Sequence, residues 1–399
     1  MPKYLTEVLD TSHFEKGYFN LIYAPCGSGK TRVAIEKIAP LASSPKKAIY
    51  LIDTRLGKDR LSREKGLTTP CHFYSGSIAN NDGFFEGDKK VAVTTYAQFG
   101  YWCSCYNNFA ERFEYIICDE PHNLVLFSEM GNKFKQNVNV HKEARAAICE
   151  AVKRGNVMVV GISATPKPLE KLACELKDIP IDRSNLHHYI ENEIIPYASI
   201  NSIVTHIPLG KRGGLYVRHI NKLIKYSQLF RERGFNPLML WSMENKDYIM
   251  NAAQLAARQY IIEHEAVPDE YDVFLFNATA ETSINIRSHM DFFIAHDTGE
   301  THITQSRGRY RGNLDTLYIY DRESGGAVVV PQEFLERDLF MGDLENLRSV
   351  LDIKKGKHSH DISIKDMEDL IDTCGYTCER TSGVVSFPYS RETHQNVIE

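Results

Sequence analysis

Hydrophobic residues fall along this chain in short runs. Residues 20–23, 48–52, 91–95, 115–118 and 157–162 are each rich in Val, Ile, Tyr or Phe. Continuous apolar runs of this length predict strands buried on both faces, as in a parallel sheet. Between some of them apolar residues recur at helical spacing, over residues 31–38 and 141–154. Strand alternating with helix predicts a doubly wound α/β unit over residues 1–190. A second series follows. Residues 202–208 read as a strand, 215–233 as a helix closed by Gly234, 237–241 as a strand and 247–265 as a helix. Strands at 273–276, 292–296 and 316–321 complete a second α/β unit over residues 191–325. Residues 326–399 read as a small, mainly helical appendage, with a helix over 364–375 and a hairpin over 376–387 that turns at Ser382-Gly383.

Composition narrows the class without fixing it. The chain has 399 residues, 43% hydrophobic and 25% charged, an ordinary globular mix. That length leaves room for two or three domains, each with its own core. The net charge of −5 means that no basic whole-protein field announces nucleic acid, although local grooves can still be basic. The opening Met1-Pro2-Lys3-Tyr4 leads into a polar stretch rather than a signal peptide, and no apolar run is long enough to span a membrane. An intracellular, cytoplasmic protein with reduced thiols and no membrane contact is expected. Two cysteine pairs are close in sequence, Cys103/Cys105 and Cys374/Cys378. Neither has a second knuckle at a familiar spacing, so no zinc site is expected.

Candidate chemistry begins at Ala24-Pro25-Cys26-Gly27-Ser28-Gly29-Lys30-Thr31, between the first predicted strand and the first helix. Glycines there let the backbone approach closely, so that successive N–H groups and a helix N-terminus face phosphate oxygens. Lys30 supplies a point charge between the β- and γ-phosphates, and Thr31 a hydroxyl for Mg²⁺. The second feature is Tyr115-Ile116-Ile117-Cys118-Asp119-Glu120-Pro121-His122, a buried strand ending in two carboxylates. Asp119 can hold the Mg²⁺ through water, and Glu120 is placed to polarise the attacking water. Asp-Glu after a strand is common by itself. About 90 residues beyond a phosphate loop, in the same α/β unit, it is specific. ATP and Mg²⁺ are the cofactors these residues predict.

Asp119-Glu120-Pro121-His122 resembles the Asp-Glu-x-His box of superfamily 2 helicases, and Ser163-Ala164-Thr165 resembles their Ser-Ala-Thr motif. Thr279-Ala280-Glu281-Thr282-Ser283 is similar to the fifth motif in its DEAH-box wording, with Asn277 where a Thr is usual. Gln305-Ser306-Arg307-Gly308-Arg309-Tyr310-Arg311 is similar to the sixth, Gln-x-x-Gly-Arg-x-x-Arg, with its last arginine one place early. Weaker matches are Ile52-Asp53-Thr54-Arg55, Thr94-Thr95-Tyr96 and Leu238-Met239-Leu240-Trp241-Ser242, each equally readable as an ordinary strand end. No Gln precedes Gln98, so the adenine-reading Gln motif of the DEAD-box branch is missing. Stacking by Phe14 or Tyr18 is an alternative route to the base, and both also read as core aromatics.

The resemblance covers residues 17–321 and implies two tandem RecA-like domains with an ATP site in the cleft between them. It implies catalytic roles for Lys30, Asp119, Glu120, His122, Gln305 and either Arg309 or Arg311 as the arginine finger. It implies coupling through Ser163 and Thr165, and contacts to a nucleic-acid backbone by Thr54, Arg55, Thr94, Thr95, Thr282 and Ser283. The leading function is an ATP-dependent helicase acting on single-stranded DNA or RNA. A translocase or remodelling ATPase on duplex DNA within a larger complex is the first alternative. A weakened nucleotide- or partner-binding module is the second. No paired nuclease motif or methyltransferase signature is present in the sequence. The acidic tail reads as a packing appendage or a site for a protein partner.

Overall fold

The computed structural model describes residues 2–43, 47–64, 66–74, 89–129, 139–242, 245, 247–277, 284–296, 299–321, 330–335 and 337–351, with the tail positions 354–355, 360–361, 363–364, 367–368, 371, 379–381 and 384–386. The chain divides into two units, Met1–Tyr189 and Ile190–Glu399.

The first unit holds a parallel sheet built from β1 (Phe19–Tyr23), β2 (Ala48–Ile52), β3 (Cys71–Phe73), β4 (Val91–Thr95), β5 (Tyr115–Asp119), β6 (Met158–Ser163) and β7 (Leu176–Asp178). Their order is β3-β4-β2-β5-β6-β1-β7, with every pairing parallel. Alternation along each strand feeds two cores. In β2, Ala48, Tyr50 and Ile52 face one core while Ile49 and Leu51 face the other. The first core lies under the helix that follows the phosphate loop, through Val33, Ala34, Ile35 and Ile38. Phe99, Trp102, Leu124, Ala144 and Ile148 fill the second core from helices on the opposite face.

That first helix is helical where expected but changes pitch. Lys30–Val33 is α, Ala34–Ile38 widens to a π-turn, and Ala39–Leu41 tightens before the chain turns away. The helix Val140–Arg154 has ends that its sequence explains. Asn139 Oδ1 accepts the Lys142 N–H at 3.0 Å, and Gly155 closes the helix at φ 65°.

The second unit holds β8 (Glu191–Tyr197), β9 (Gly213–Val217), β10 (Pro237–Leu240), β11 (Val273–Phe276), β12 (Phe292–His296) and β13 (Leu314–Tyr320). They order as β10-β11-β9-β12-β13-β8, again all parallel. Two expectations change here. Residues 202–208 are not a strand: Ile200–His206 is a helix capped by Ser199, burying Ile200, Ile203 and Val204 on one face. Residues 213–217 are the buried central strand rather than the start of a helix, which runs only over Ile220–Glu232. After residue 325 the described positions include a helix at Met341–Leu351, an antiparallel pair of Lys354–Lys355 and His360–Asp361, and an antiparallel pair of Glu379–Thr381 and Val384–Ser386, to which Asp338–Leu339 adds a third strand. Ile364, Met367, Glu368 and Ile371 are helical. This appendage is therefore a helix-and-hairpin module with its own small core, including Phe334, Leu344, Leu347 and Met367.

Candidate functional site

Three adjacent strands deliver the candidate chemistry of the first unit to one edge. In the sheet, β6 lies between β1 and β5, with Tyr23 in register with Ser163 and Asp119 with Ile162. The C-terminal ends of parallel strands are where open α/β sheets bind ligands. The phosphate loop leaves β1 here and is anchored at once, since Ala24 N–H donates to the Ser163 carbonyl at 3.0 Å. Gly27 and Gly29 adopt φ of 86° and 89°, the left-handed region that strains any other residue. Ser28 is fully buried, and its hydroxyl donates to the Pro25 carbonyl at 2.8 Å, which holds the loop tight.

Lys30 turns back into this loop. Its Nζ lies 2.8 Å from Glu120 Oε1 and 3.4 Å from the Ala24 carbonyl. Glu120 itself sits at φ 43°, a left-handed conformation uncommon for a non-glycine residue. It is held there by several contacts. Its N–H donates to the Ile162 carbonyl at 2.9 Å, and its Oε2 accepts from Ser163 Oγ at 2.9 Å and Ala164 N at 3.2 Å. His122 Nδ1 lies 3.4 Å from the same oxygen, 3.1 Å from Ser163 Oγ and 3.0 Å from Thr165 Oγ1. Burial pushes the Glu120 carboxyl up, but Lys30 and His122 outweigh it and hold it well below the usual carboxylate range. Burial likewise lowers the Lys30 ammonium, and Glu120 more than restores it. The site is thus a charged pair at physiological pH. The Asp-Glu-x-His box and the Ser-Ala-Thr motif form one hydrogen-bonded cluster, which sequence spacing alone could not establish.

Asp119 follows Ile117 on β5 by two residues and so projects from the same face as Ile117 and Tyr50. Thr31 lies in the first turn of the helix over that face, which begins at Lys30. Tyr50 is wholly buried, and its hydroxyl faces the side chains of Thr31 and Asp119. Burial, then the Asp119 carboxylate, push its pKa well above the ordinary phenol value, with Thr31 acting the other way. A carboxylate and a hydroxyl with a buried phenol beside them make a set of oxygen donors, which suits a hard divalent cation such as Mg²⁺. Sequence reasoning missed Tyr50 because only the β2–β5 pairing brings it beside Asp119.

The second unit separates its three arginines. Arg307 is buried and fully engaged, with Nε 2.6 Å from Glu191 Oε1 and its two terminal nitrogens on the Tyr310 and Gly312 carbonyls at 2.9 Å. Arg311 Nε donates to Asn285 Oδ1 at 3.3 Å. Arg309 makes one long contact, Nη2 to Gln305 Oε1 at 3.5 Å, and its buried Nε has no partner among the described residues. Gln305 is itself buried. Residues 278–283, including Thr279, Thr282 and Ser283, lie outside the described residues. Neighbouring Asn277 is buried, and its carbonyl oxygen has no partner among the described residues.

The remaining expected backbone contacts behave differently from one another. Thr54 Oγ1 accepts the Gly57 N–H at 3.1 Å, and Thr95 Oγ1 accepts the Gln98 N–H at 3.2 Å, so both hydroxyls cap helices. Thr94 is fully buried. Its side chain does not face solvent, which removes it as a direct phosphate contact. Arg55 lies in the helix Arg55–Ser62 that Thr54 caps.

A parallel sheet with a glycine loop, lysine and threonine after one strand and Asp-Glu after another defines a P-loop nucleoside triphosphatase fold. Residues 3–168 match the family described as "Type III restriction enzyme, res subunit", a match to less than half of the chain. No curated protein matches the chain. The solved structures that are similar at low identity include two helicase-type proteins. One is a DEAD box protein from the hyperthermophile Methanococcus jannaschii, with 13% identity, a TM-score of 0.40, and coverage of 84% of this chain and 87% of that one. The other is the Mycobacterium smegmatis helicase Lhr bound to ssDNA and AMP-PNP, with 11% identity, a TM-score of 0.49, and coverage of 93% of this chain but 56% of that one.

Proposed function

We propose that the chain hydrolyses ATP at the strand-end site of its first unit and couples hydrolysis to movement on nucleic acid as a helicase. The observation that carries this reading is the contact between Lys30 Nζ and Glu120 Oε1 at 2.8 Å. The cation suited to phosphate and the base suited to water are held together. Incoming β- and γ-phosphates compete for Lys30 and draw it off Glu120. Oε1 is then released while Oε2 stays fixed by Ser163 and the Ala164 N–H. The freed carboxylate is thereby already aimed, and it takes the proton of the attacking water. Thr31 and Asp119 would hold Mg²⁺, which would neutralise charge on the phosphates. Arg309, the arginine least committed to internal contacts, is our choice for the finger on the γ-phosphate. The link from Glu120 through Ser163 to Thr165 and His122 offers a route from the phosphate to the rest of the unit.

Phosphate release across a panel of single- and double-stranded DNA and RNA tests the reading. ATP turnover should rise with at least one nucleic acid. Lys30→Ala and Glu120→Gln should each lower it by about 100-fold or more. An active Lys30→Ala variant overturns the proposal. Strand displacement assayed beside triplex displacement then separates a helicase from a duplex translocase.

A further inference from the structure

Arg307 falls on an unspecified position of Gln-x-x-Gly-Arg-x-x-Arg, so the motif resemblance leaves it without a role. Its helix, Glu300–Arg307, ends there, and the chain loops over residues 308–313 before it enters β13. The guanidinium spans that loop. Nη1 and Nη2 donate to the Tyr310 and Gly312 carbonyls at 2.9 Å, and Nε meets the Glu191 carboxylate at 2.6 Å. Only 8% of the Arg307 side chain and 22% of the Glu191 side chain are exposed. Glu191 is itself fixed. It is the first residue of β8, in register with Leu314 of β13, and the Leu314 N–H donates to the neighbouring Ile190 carbonyl at 2.9 Å. Arg307 and Glu191 therefore join a helix end, a loop and two strands at one point.

Arg309 lies between these anchors. Its backbone is gripped from the other side as well: its carbonyl accepts the Ile286 N–H at 2.9 Å, and the Arg311 N–H donates to the Ile286 carbonyl at 2.7 Å. Its side chain is left with the long 3.5 Å contact to Gln305 and a buried Nε that lacks a partner among the described residues. The loop is thus held firmly while the guanidinium it carries is not. A buried ion pair adds little net stability over apolar side chains of the same volume. What this pair adds is direction, because a planar guanidinium bonded through all three of its nitrogens admits one arrangement of the loop. We propose that Arg307, held by Glu191, is the positioning residue for Arg309: it sets the loop so that the Arg309 guanidinium is presented to the γ-phosphate. This rests on the choice of Arg309 as the finger made above. A finger acts by placing charge at a fixed point, and a displacement of about 1 Å can cost about 100-fold in rate.

Single-turnover ATP hydrolysis by the full chain tests this through a double-mutant cycle, with the nucleic acid that stimulates turnover most. Arg307→Lys keeps a positive charge for Glu191 but loses the planar fork that reaches two carbonyls. It should slow hydrolysis about 30-fold and leave the Kd for ADP within about twofold of wild type. Glu191→Gln keeps the shape and one acceptor oxygen. It should slow hydrolysis about fivefold, and it carries the test if Arg307→Lys does not fold. In an Arg309→Ala background each change should alter the remaining rate by less than about twofold, because the group being positioned is gone. A role in stability alone would slow both backgrounds equally. The positioning role is overturned if either variant folds and hydrolyses ATP like wild type, or if either slows the Arg309→Ala background as much as it slows wild type. Arg309→Ala with wild-type turnover removes the finger and the positioning role together. Wild type without ATP turnover overturns the function proposed above, and this role with it.

Discussion

Glu120 shows how much the chemistry of single residues depends on neighbours far away in sequence. Its left-handed φ of 43° costs energy, and the Ile162, Ser163 and Ala164 contacts that hold it come from another strand. The residue type and its place after a strand are legible in the sequence, because a carboxylate pair beyond a phosphate loop has few other uses. The clamp is not legible, and neither is the buried hydroxyl of Tyr50 beside Asp119. The same distinction separates the arginines. Spacing leaves Arg309 and Arg311 as equal candidates, but only contacts show that Arg311 bonds Asn285 while Arg309 Nε lacks a partner among the described residues. Arg309→Ala should therefore lower kcat about 1000-fold with little change in melting temperature. Arg311→Ala should lower the melting temperature and affect kcat less. Steady-state kinetics paired with thermal melts checks this, and the reverse pattern would move the finger to Arg311.

Elements are legible in the sequence where burial makes them continuous, and obscure where they are short or half-exposed. The strands at Ala48–Ile52 and Val91–Thr95 lie where their apolar runs put them. The strand Glu191–Tyr197 carries no such signal, because it is an edge strand, mostly exposed and carrying two glutamates. The helix Ile200–His206 reads as a strand because β-branched residues fill its buried face. What holds elements together can be tested through Asp291, just before β12. Its carboxylate accepts from Lys211 Nζ at 2.8 Å and from the Arg212 N–H at 2.7 Å, which ties β12 to the entrance of β9. Partial burial raises the carboxyl, but Lys211, the Arg212 N–H and His289 together lower it from the ordinary 3.8. A carboxyl with a depressed folded pKa stabilises fully above the unfolded value, and that contribution is lost as pH falls through the folded one. Asp291→Asn should thus lower the melting temperature at pH 7, and the gap from wild type should narrow as pH falls through and below the ordinary 3.8. A gap that persists unchanged at low pH would mean that shape rather than charge makes the link.

At the scale of the whole chain, the hydrophobic clusters separate along the same line as the two units. Among the described residues, the cores under and over the first sheet draw on residues up to Leu186, and the core of the second sheet on residues from Tyr197 onward. A unit with its own core can unfold as its own cooperative transition. The chain has two tryptophans, and they fall one to each core, Trp102 in the first unit and Trp241 in the second. Trp241→Phe and Trp102→Phe therefore leave a single reporter for one unit at a time. On the function proposed above, ADP would occupy the loop at Gly27–Thr31 but lack the phosphate proposed for Arg309. At 100 times its Kd it adds about 2.7 kcal/mol to whatever cooperative unit binds it. The transition seen by Trp102 should rise by roughly 5–10 °C while that seen by Trp241 stays in place. AMP-PNP restores the γ-phosphate, so if Arg309 is the finger it should move both transitions. Equal movement of both by ADP would show that the units unfold together. Movement of only the Trp102 transition by AMP-PNP would leave nucleotide binding intact and remove Arg309 from the reaction, which turns the choice between a coupled motor and a simple nucleotide-binding module into a melting measurement.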